Sequence, residues 1–582
     1  MYDAALKSFQ SGRLDVAERR CRKTLAADPA HADSLHLLGV IYGATNRPDL
    51  GIESIAQAVR SDPTNPEYFY NLGTLLQRQN RFDEAFKSYN IALQLKPDLG
   101  RAWMRLGDLL TQAQQLDDAL LSYDRALALD AGNTEAANKS GQTLKELHRY
   151  DEALARFDLL AKLSPDNADA FCEMGICLFQ LKRLDESVAH FRAAIGAKPD
   201  FVNALHNLGS ALMELKRFDE ALPILNRAIA LGAGFAETYG NRGICLDWMM
   251  RRDEALASYR SALAAKPDYA DAHWNLALNR LLAGDLRIGW VEAEWRWIAG
   301  SRKTPRTFAQ PLWLGREPIE GKTLLLHNGE GFGDALQFCR YARLAAARGA
   351  RVVLEIEPPL RDLLATLEGV SEIVALGEPL PPFDYHCPLS SLPLAFDTVL
   401  ETIPSDVPYL SIPDHPRDWR PWLGPAKGPR IGLVWSGNSQ HSNDRNRSIE
   451  LEKLLPLLDI EAQFISLQKD LRPRDAAILG GRSDIRDAGP ELKSFSDTAA
   501  LLSCIDLLIT VDTSVAHLAG ALGRPTWLLL PYVPDWRWLL DRDDSPWYPS
   551  LRLFRQADTA AWPPVIQRVK DALQEMAAGA SR

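Results

Sequence analysis

Small and apolar residues recur every 34 positions through the first half of the chain. Glycine falls at Gly39, Gly73, Gly107, Gly141, Gly175, Gly209 and Gly243. Proline falls at Pro29, Pro63, Pro97, Pro165, Pro199 and Pro267, and Ala131 and Ala233 stand where the phase skips one. An Asp-Glu-Ala turn keeps the same phase at Asp83-Glu84-Ala85, Asp151-Glu152-Ala153, Asp219-Glu220-Ala221 and Asp253-Glu254-Ala255. This period predicts pairs of helices that stack into an α-solenoid with a concave face. Glycine and alanine let the two helices approach, aromatics such as Tyr89, Tyr123, Phe157, Phe191 and Tyr259 fill the gap, and the proline separates one pair from the next. About eight pairs run to roughly residue 267. An altered helical pair follows, and its Trp290, Trp295 and Trp297 are expected either in the core or as a cap against the next domain.

Past residue 300 the pattern changes. The stretch SRKTPRTFAQPLWLGREPIEGK has turn composition and reads as a linker. Short apolar runs then alternate with amphipathic segments: KTLLLH, RVVLEI, EIVAL and DYHCPL as strands, with DALQFCRYARLAAARG and LRDLLATL as helices. A proline-rich hinge (Pro404, Pro408, Pro413, Pro416, Pro421, Pro425) precedes a second series. Its strands are RIGLVWSG, QFISLQ, DLLITV, PTWLLL and LRLFRQ, its helices LEKLLPLL, TAALLSCI and SVAHLAGALG, and a terminal helix starts near Trp562. Alternation of this kind implies parallel sheets in two Rossmann-like lobes. The expected organisation is a superhelix over 1–300, a linker over 301–321, a first lobe over 322–420, a second lobe over 421–556 and a terminal helix over 557–582.

Composition narrows the function. A net charge of −10 argues against nucleic acid as the main partner, since a phosphate backbone needs a basic surface. The seven cysteines are scattered without zinc-type spacing and read as reduced thiols. The opening MYDAALKSFQ lacks a basic-then-apolar signal, and no apolar run approaches about 18 residues, so a cytoplasmic protein without a transmembrane segment is expected.

The first half resembles the tetratricopeptide-repeat family. Asn71, Asn207, Asn241 and Asn275 stand two residues before the repeat glycine or its alanine equivalent, with Arg105, Lys139 and Glu173 between them. In such arrays this position faces the concave groove. The asparagines are either backbone-reading groups for a bound polypeptide or plain polar face residues. The module from about Trp313 to Gln556 is similar to the lipopolysaccharide heptosyltransferase superfamily of GT-B glycosyltransferases. Four segments carry the likeness: HNGEGFGDALQF, GLVWSGNSQHSNDRNRSI, TVDTSVAHLAGALGRP and DWRWLLDRDDSPWYPSLRLFRQ. In domain order the chain resembles O-GlcNAc transferase and the repeat-containing flagellin glycosyltransferases of bacteria.

The resemblance implies roles. Asp334, in the lobe expected to hold the acceptor, would be the general base, with Glu330 next in line and His386 or His327 after it; Gly331 and Gly333 would let the acceptor approach. An attacking hydroxyl must give up its proton, which a positioned carboxylate can take. Ser436, Gly437, Asn438 and Arg445 would line the donor, and Arg447 would stabilise the departing phosphate as an arginine fork does without a metal. Asp512, Thr513, Ser514 and His517 would complete the donor site where a strand feeds a helix N-terminus, with a buried core histidine as the alternative for His517. Trp536 and Trp538 are candidates to stack on a base or sugar, and Asp535 or Arg537 to bind hydroxyls or a carboxylate. Asp543-Asp544 reads as structural, so no metal and no cofactor beyond the nucleotide-sugar substrate is expected.

These readings combine into a metal-independent, inverting glycosyltransferase acting on hydroxyls of a protein recruited by the repeats, with flagellin as the acceptor that the resemblance suggests. The other readings are a repeat-based scaffold with an inactive module, and a transferase for lipopolysaccharide or another glycan. CMP-, UDP- and ADP-sugars all remain open as donors.

Overall fold

The computed structural model describes residues 1–299, 306–414, 417–425, 428–441, 443–557 and 561–580. Residues 301–305 of the expected linker, Pro416 of the expected hinge and Ser442 of the second motif lie outside the described residues. The chain divides into two compact units, Met1–Ala233 and Gly234–Arg582.

The first unit is built of helical pairs. After an opening pair that starts at Tyr2, the first helix of each later pair begins at Ala32, Pro66, Gly100, Thr134, Ala168 and Val202, in steps of 34 residues. A Cβ added at Gly107 would lie 2.5 Å from Tyr123 Cε1, and one at Gly73 2.8 Å from Tyr89 Cε1, so the glycine is the point where the helices touch. The expected Asp-Glu-Ala turn is instead the first turn of the second helix of each pair, because the left-handed residue just before it makes the connection, and its residues divide the work. Ala85, Ala153 and Ala221 are fully buried, while Glu84 and Glu152 each accept from the arginine three residues earlier at 2.7 Å. A further marker is conformational. Asn46, Asn80, Gln114, His148, Lys182 and Lys216 all have φ between 57° and 60°, in phase with Gly12. A left-handed turn therefore joins the two helices of each pair, at a cost of about 1–2 kcal/mol for each residue that is not glycine.

The second unit opens with two more pairs, Ala236–Trp248 with Arg252–Ala265, then Ala270–Leu282 with the shortened Leu286–Ala293. Met250 and Gly284 continue the left-handed marker. A single 3-10 turn, Glu294–Trp297, ends the series. The remaining described residues form two parallel sheets with helices between and after their strands. The first contains β1 (Thr323–His327), β2 (Arg351–Ile356), β3 (Val370–Ala375) and β4 (Tyr385–Pro388) in the order β3-β2-β1-β4. The second contains β5 (Arg430–Val434), β6 (Gln463–Ser466), β7 (Ile485–Asp487), β8 (Leu507–Val511), β9 (Thr526–Leu530) and β10 (Leu551–Arg555) in the order β10-β9-β8-β5-β6-β7. β7 is absent from the sequence-derived strands. At three residues it carries too little apolar pattern to stand out.

One apolar core runs through the last helical pair and both lobes: Leu281, Trp290, Leu326, Leu336, Ile505 and Leu528 all belong to it. Trp290 is 4% exposed and donates to Thr398 O at 3.0 Å, so it packs on the α/β module as well as lying in the core. Arg340, only 1% exposed, pins the hinge by donating to Pro404 O at 3.0 Å, Trp547 O at 2.7 Å and Tyr409 Oη at 2.8 Å. All seven cysteines are free and six are buried. Among the described residues no helix is long and apolar enough to cross a membrane.

Candidate functional site

Both sheets reverse their strand order once, the first between β1 and β4, the second between β5 and β8. In open parallel sheets the crevice at the carboxyl ends beside such a reversal is where ligands bind. In the second sheet Val434 pairs with Thr510, and two residues further along each strand stand Ser436 and Asp512. The second and third motifs of the sequence therefore flank one reversal point.

The loop after β5 is held from β6. Gln468 accepts from Trp435 N at 3.1 Å and Ser436 N at 3.0 Å, and donates back to Ser436 O at 3.0 Å. Gly437 N donates to Ser448 Oγ at 3.1 Å. A Cβ at Gly437 would meet Arg447 Nη2 at 2.7 Å, so the guanidinium rests against the loop backbone. Asn438 and Arg445 are exposed, and Asn438 Oδ1 closes a local turn by accepting from Gln440 N at 2.9 Å. Three buried atoms here, Ser436 Oγ, Asn443 Oδ1 and Arg447 Nε, have no hydrogen-bond partner among the described residues. Leaving a buried polar group unmatched costs about 1–3 kcal/mol.

After β8 the chain turns at Asp512 into the Ser514–Ala521 helix, with Thr513 as its cap residue. Thr513 Oγ1 lies 3.4 Å from Thr510 Oγ1. Asp512 is 9% exposed. Burial, then the neighbouring Asp535 carboxylate, push its carboxyl up to about 6, against the pull of Arg537 and Arg447. His517 is buried, shares a hydrogen bond with Tyr548 Oη at 2.9 Å and stacks on Trp538. Its Nε2 is 3.9 Å from Asp512 Oδ1. Burial, with Arg537, Arg340 and Arg447 nearby, holds it well below the usual histidine range, so the ring is neutral at pH 7.

On the first lobe, Asp334 lies in the first turn of the Phe332–Phe338 helix and accepts from Gly331 N at 2.9 Å through Oδ2. Its Oδ1 pairs with Arg537 Nη2 of the second lobe. Arg537 also donates to Asp535 Oδ1 at 2.9 Å and to Gln337 Oε1 at 2.5 Å. Gly333 permits this approach of the lobes, since a Cβ there would stand 2.9 Å from His517 Cδ2. Glu330 accepts from Arg296 Nε at 3.1 Å. Burial, then the charge of Asp334, raise its carboxyl above the ordinary glutamate value.

Trp536 and Trp538 do not offer free stacking faces. Trp538 is fully buried and Trp536 is 8% exposed, with its ring edge-on to Trp290 at 5.2 Å and to Trp547 at 6.2 Å. This aromatic-rich segment packs into the core. His327 and His386 face one another at 3.2 Å against Phe308, on the opposite face of the first sheet from Leu324 and Leu326. Burial pushes His327 down to about 3 and lowers His386. Asp544 pairs with Arg542 at 2.6 Å. Asn71 Nδ2 bonds His36 Nε2 at 2.8 Å, Asn207 lies beside the Cys172 thiol, and Arg105 and Lys139 are both paired with Asp108. Asn71 and Asn207 belong to the first unit, Asn241 and Asn275 to the second. Arg296 was missed; its only signal was a cation among the tryptophans of EWRW.

Known proteins match the chain in pieces. The tetratricopeptide-repeat family matches residues 2–66, 70–134, 138–202 and, with a second repeat type, 178–237. Glycosyltransferase family 9, the heptosyltransferases, matches residues 490–529. The FlbA protein of Caulobacter vibrioides is 27% identical over 328 residues, which are 51% of this chain and 54% of that protein. The chain thus spans about half the length of this curated relative. Solved structures that resemble the chain include YrrB, described as a repeat protein with an unusual peptide-binding site, at 22% identity over 32% of this chain and 96% of that one, with a TM-score of 0.30. Another is PilF of Pseudomonas aeruginosa, at 24% identity over 35% of this chain and 92% of that one, with a TM-score of 0.31. The chain is a tetratricopeptide-repeat solenoid followed by a parallel α/β module that carries a heptosyltransferase-like segment.

Proposed function

We propose that this chain is a metal-independent, inverting glycosyltransferase that moves a sugar from a nucleotide-sugar to a hydroxyl of a polypeptide, with flagellin as the acceptor. The observation that carries the reading is the set of unmatched atoms Ser436 Oγ, Asn443 Oδ1 and Arg447 Nε beside a strand-order reversal, next to the family 9 match. In the proposed reaction the donor phosphates lie against Ser436-Gly437, Arg447 and the Thr513-Ser514 helix start. The acceptor oxygen attacks the anomeric carbon, the bond from that carbon to the phosphate oxygen breaks, and the nucleotide leaves with the electron pair. The hydroxyl proton passes to Asp334, and Arg447 balances the growing phosphate charge, a task that needs no metal ion. Asp334 would exchange its bond to Arg537 for the acceptor hydroxyl as the crevice fills. The repeats recruit the polypeptide, and the module acts on it in the cytoplasm.

Calorimetry with CMP, UDP and ADP and their sugars, followed by sugar transfer to purified flagellin, tests this. Asp512→Ala is expected to weaken nucleotide binding. Asp334→Asn is expected to keep it and to slow transfer by at least about a hundredfold, because positioned proton transfer is worth roughly 10²–10⁴ in rate. Near-normal turnover in Asp334→Asn with loss in Glu330→Gln moves the base to Glu330. Absence of binding for every nucleotide in the panel refutes the enzyme reading.

A further inference from the structure

The helical pairs end inside the first lobe. Arg296 belongs to the closing turn Glu294–Trp297 and is 3% exposed. All five of its N–H groups are used. Nε donates to Glu330 Oε1 at 3.1 Å. Nη1 donates to Ala293 O at 2.9 Å and Glu294 Oε1 at 2.8 Å. Nη2 donates to Ser390 Oγ at 2.9 Å and Ser391 Oγ at 2.8 Å. Ser391 in turn donates to Glu294 Oε1 at 2.8 Å. Glu330 follows β1 and Ser390-Ser391 follow β4, and these are the strands between which the first sheet reverses. A guanidinium from the end of the helical pairs therefore stands at that reversal, bonded to the residues after both strands. The Trp297 ring lies 4.4 Å from that guanidinium and 3.6 Å from where a Cβ on Gly329 would stand.

We propose that Arg296 is a positioning residue for the site: anchored on its own turn and on Ser390 and Ser391, it holds the Glu330 carboxylate in the first-lobe crevice beside Asp334, so the last helical pair is a working part of the site and not only a tether for the repeats. The kinetic consequence rests on the glycosyltransferase reading, whereas the titration consequence does not. The charged groups around Glu330 are Asp334 from its own loop and helix, Arg537 from the second lobe and Arg296 from the helical pairs, with Ser390 as a polar neighbour. Burial and Asp334 favour the protonated carboxyl, and Arg296 is the foremost of the groups that oppose them. Removing the guanidinium therefore moves the titration of Glu330 to higher pH and frees its side chain.

The test uses the full chain with glutamate labelled by carbon-13 at the side-chain carboxyl. The Glu330 signal is assigned by its loss in Glu330→Gln and followed through its titration in wild type, Arg296→Gln and Arg296→Lys. The glutamine variant is expected to raise the midpoint, and lysine, which keeps the charge without the planar fork, to leave it near the wild-type value. Sugar release from CMP-, UDP- and ADP-sugars is followed in the same variants. In both variants kcat is expected to fall by about tenfold or more with donor KM little changed, as for lost positioning. A folded Arg296→Gln whose Glu330 midpoint does not move overturns the proposal. If the glutamine variant does not fold, the lysine variant decides: wild-type kcat overturns positioning, and a lowered kcat with an unmoved midpoint supports it. A wild type that consumes no donor sinks the glycosyltransferase reading, and the titration still decides the place of Arg296.

Discussion

Asp512→Asn is expected to make the protein more stable and less able to bind nucleotide. In the folded chain the Asp512 carboxyl titrates at about 6, against an ordinary 3.8, chiefly because it is buried and faces Asp535. Between these values the folded state holds a proton that the unfolded state has released, so stability falls as pH rises from about 4 to about 6 and stays lowered above that. At about 1.4 kcal/mol per pH unit, the charge at pH 7 costs the fold on the order of 3 kcal/mol. Asparagine has the same shape, carries no charge, and its amide oxygen can still face Trp538. The assay is calorimetric melting of wild type and variant at matched scan rates across this pH range. With an unfolding entropy of about 2 cal/mol/K per residue, a unit the size of Gly234–Arg582 shifts by roughly 1–2 °C per kcal/mol. The variant should gain about 4 °C at pH 7 and nearly nothing at about pH 4. The reasoning is refuted if Asp512→Asn melts lower than wild type at pH 7, or if the difference between the two is independent of pH. A stabilised variant with weakened nucleotide binding would mean that the charge is kept for its ligand at a cost to the fold.

Gly333→Ala should press the Phe332–Phe338 helix away from His517 and destabilise the second unit by about 1–3 kcal/mol; His517→Ala in the same chain should recover much of that loss in a double-mutant cycle read by urea melting. Trp290→Ala removes a buried indole and its bond to Thr398, and should lower the stability of the second unit by about 3–5 kcal/mol while the melting of Met1–Ala233 stays unchanged. Gly107→Ala sets a Cβ against Tyr123 and should loosen the first unit by about 1–3 kcal/mol, read as loss of helical signal at lower temperature, with no change in nucleotide affinity.

Much of this protein was legible along the chain because its repeating parts make their contacts within one repeat length. Gly107 meets Tyr123 sixteen positions on, and the 34-residue step records that contact in glycine, alanine and proline. The left-handed turn kept the same step yet was invisible, because Asn80, Gln114, Lys182 and Met250 share a backbone angle and no chemistry. Strands β5 and β8 and the turns after them were readable, since a short apolar run ending in Ser436-Gly437 or Asp512-Thr513 is a local pattern. What tertiary structure decided was pairing between distant residues. The strand order that sets Ser436 opposite Asp512 depends on crossovers that no window of sequence contains. Arg537 reaches Asp334 across 203 positions and Arg296 reaches Ser391 across 95, and an arginine in a sequence looks the same whether it faces solvent or a carboxylate. Trp536 and Trp538 could have faced a ligand or a core, and only the packing of Trp290, Trp547 and His517 against them settled which, because burial belongs to the assembled fold and not to the residue.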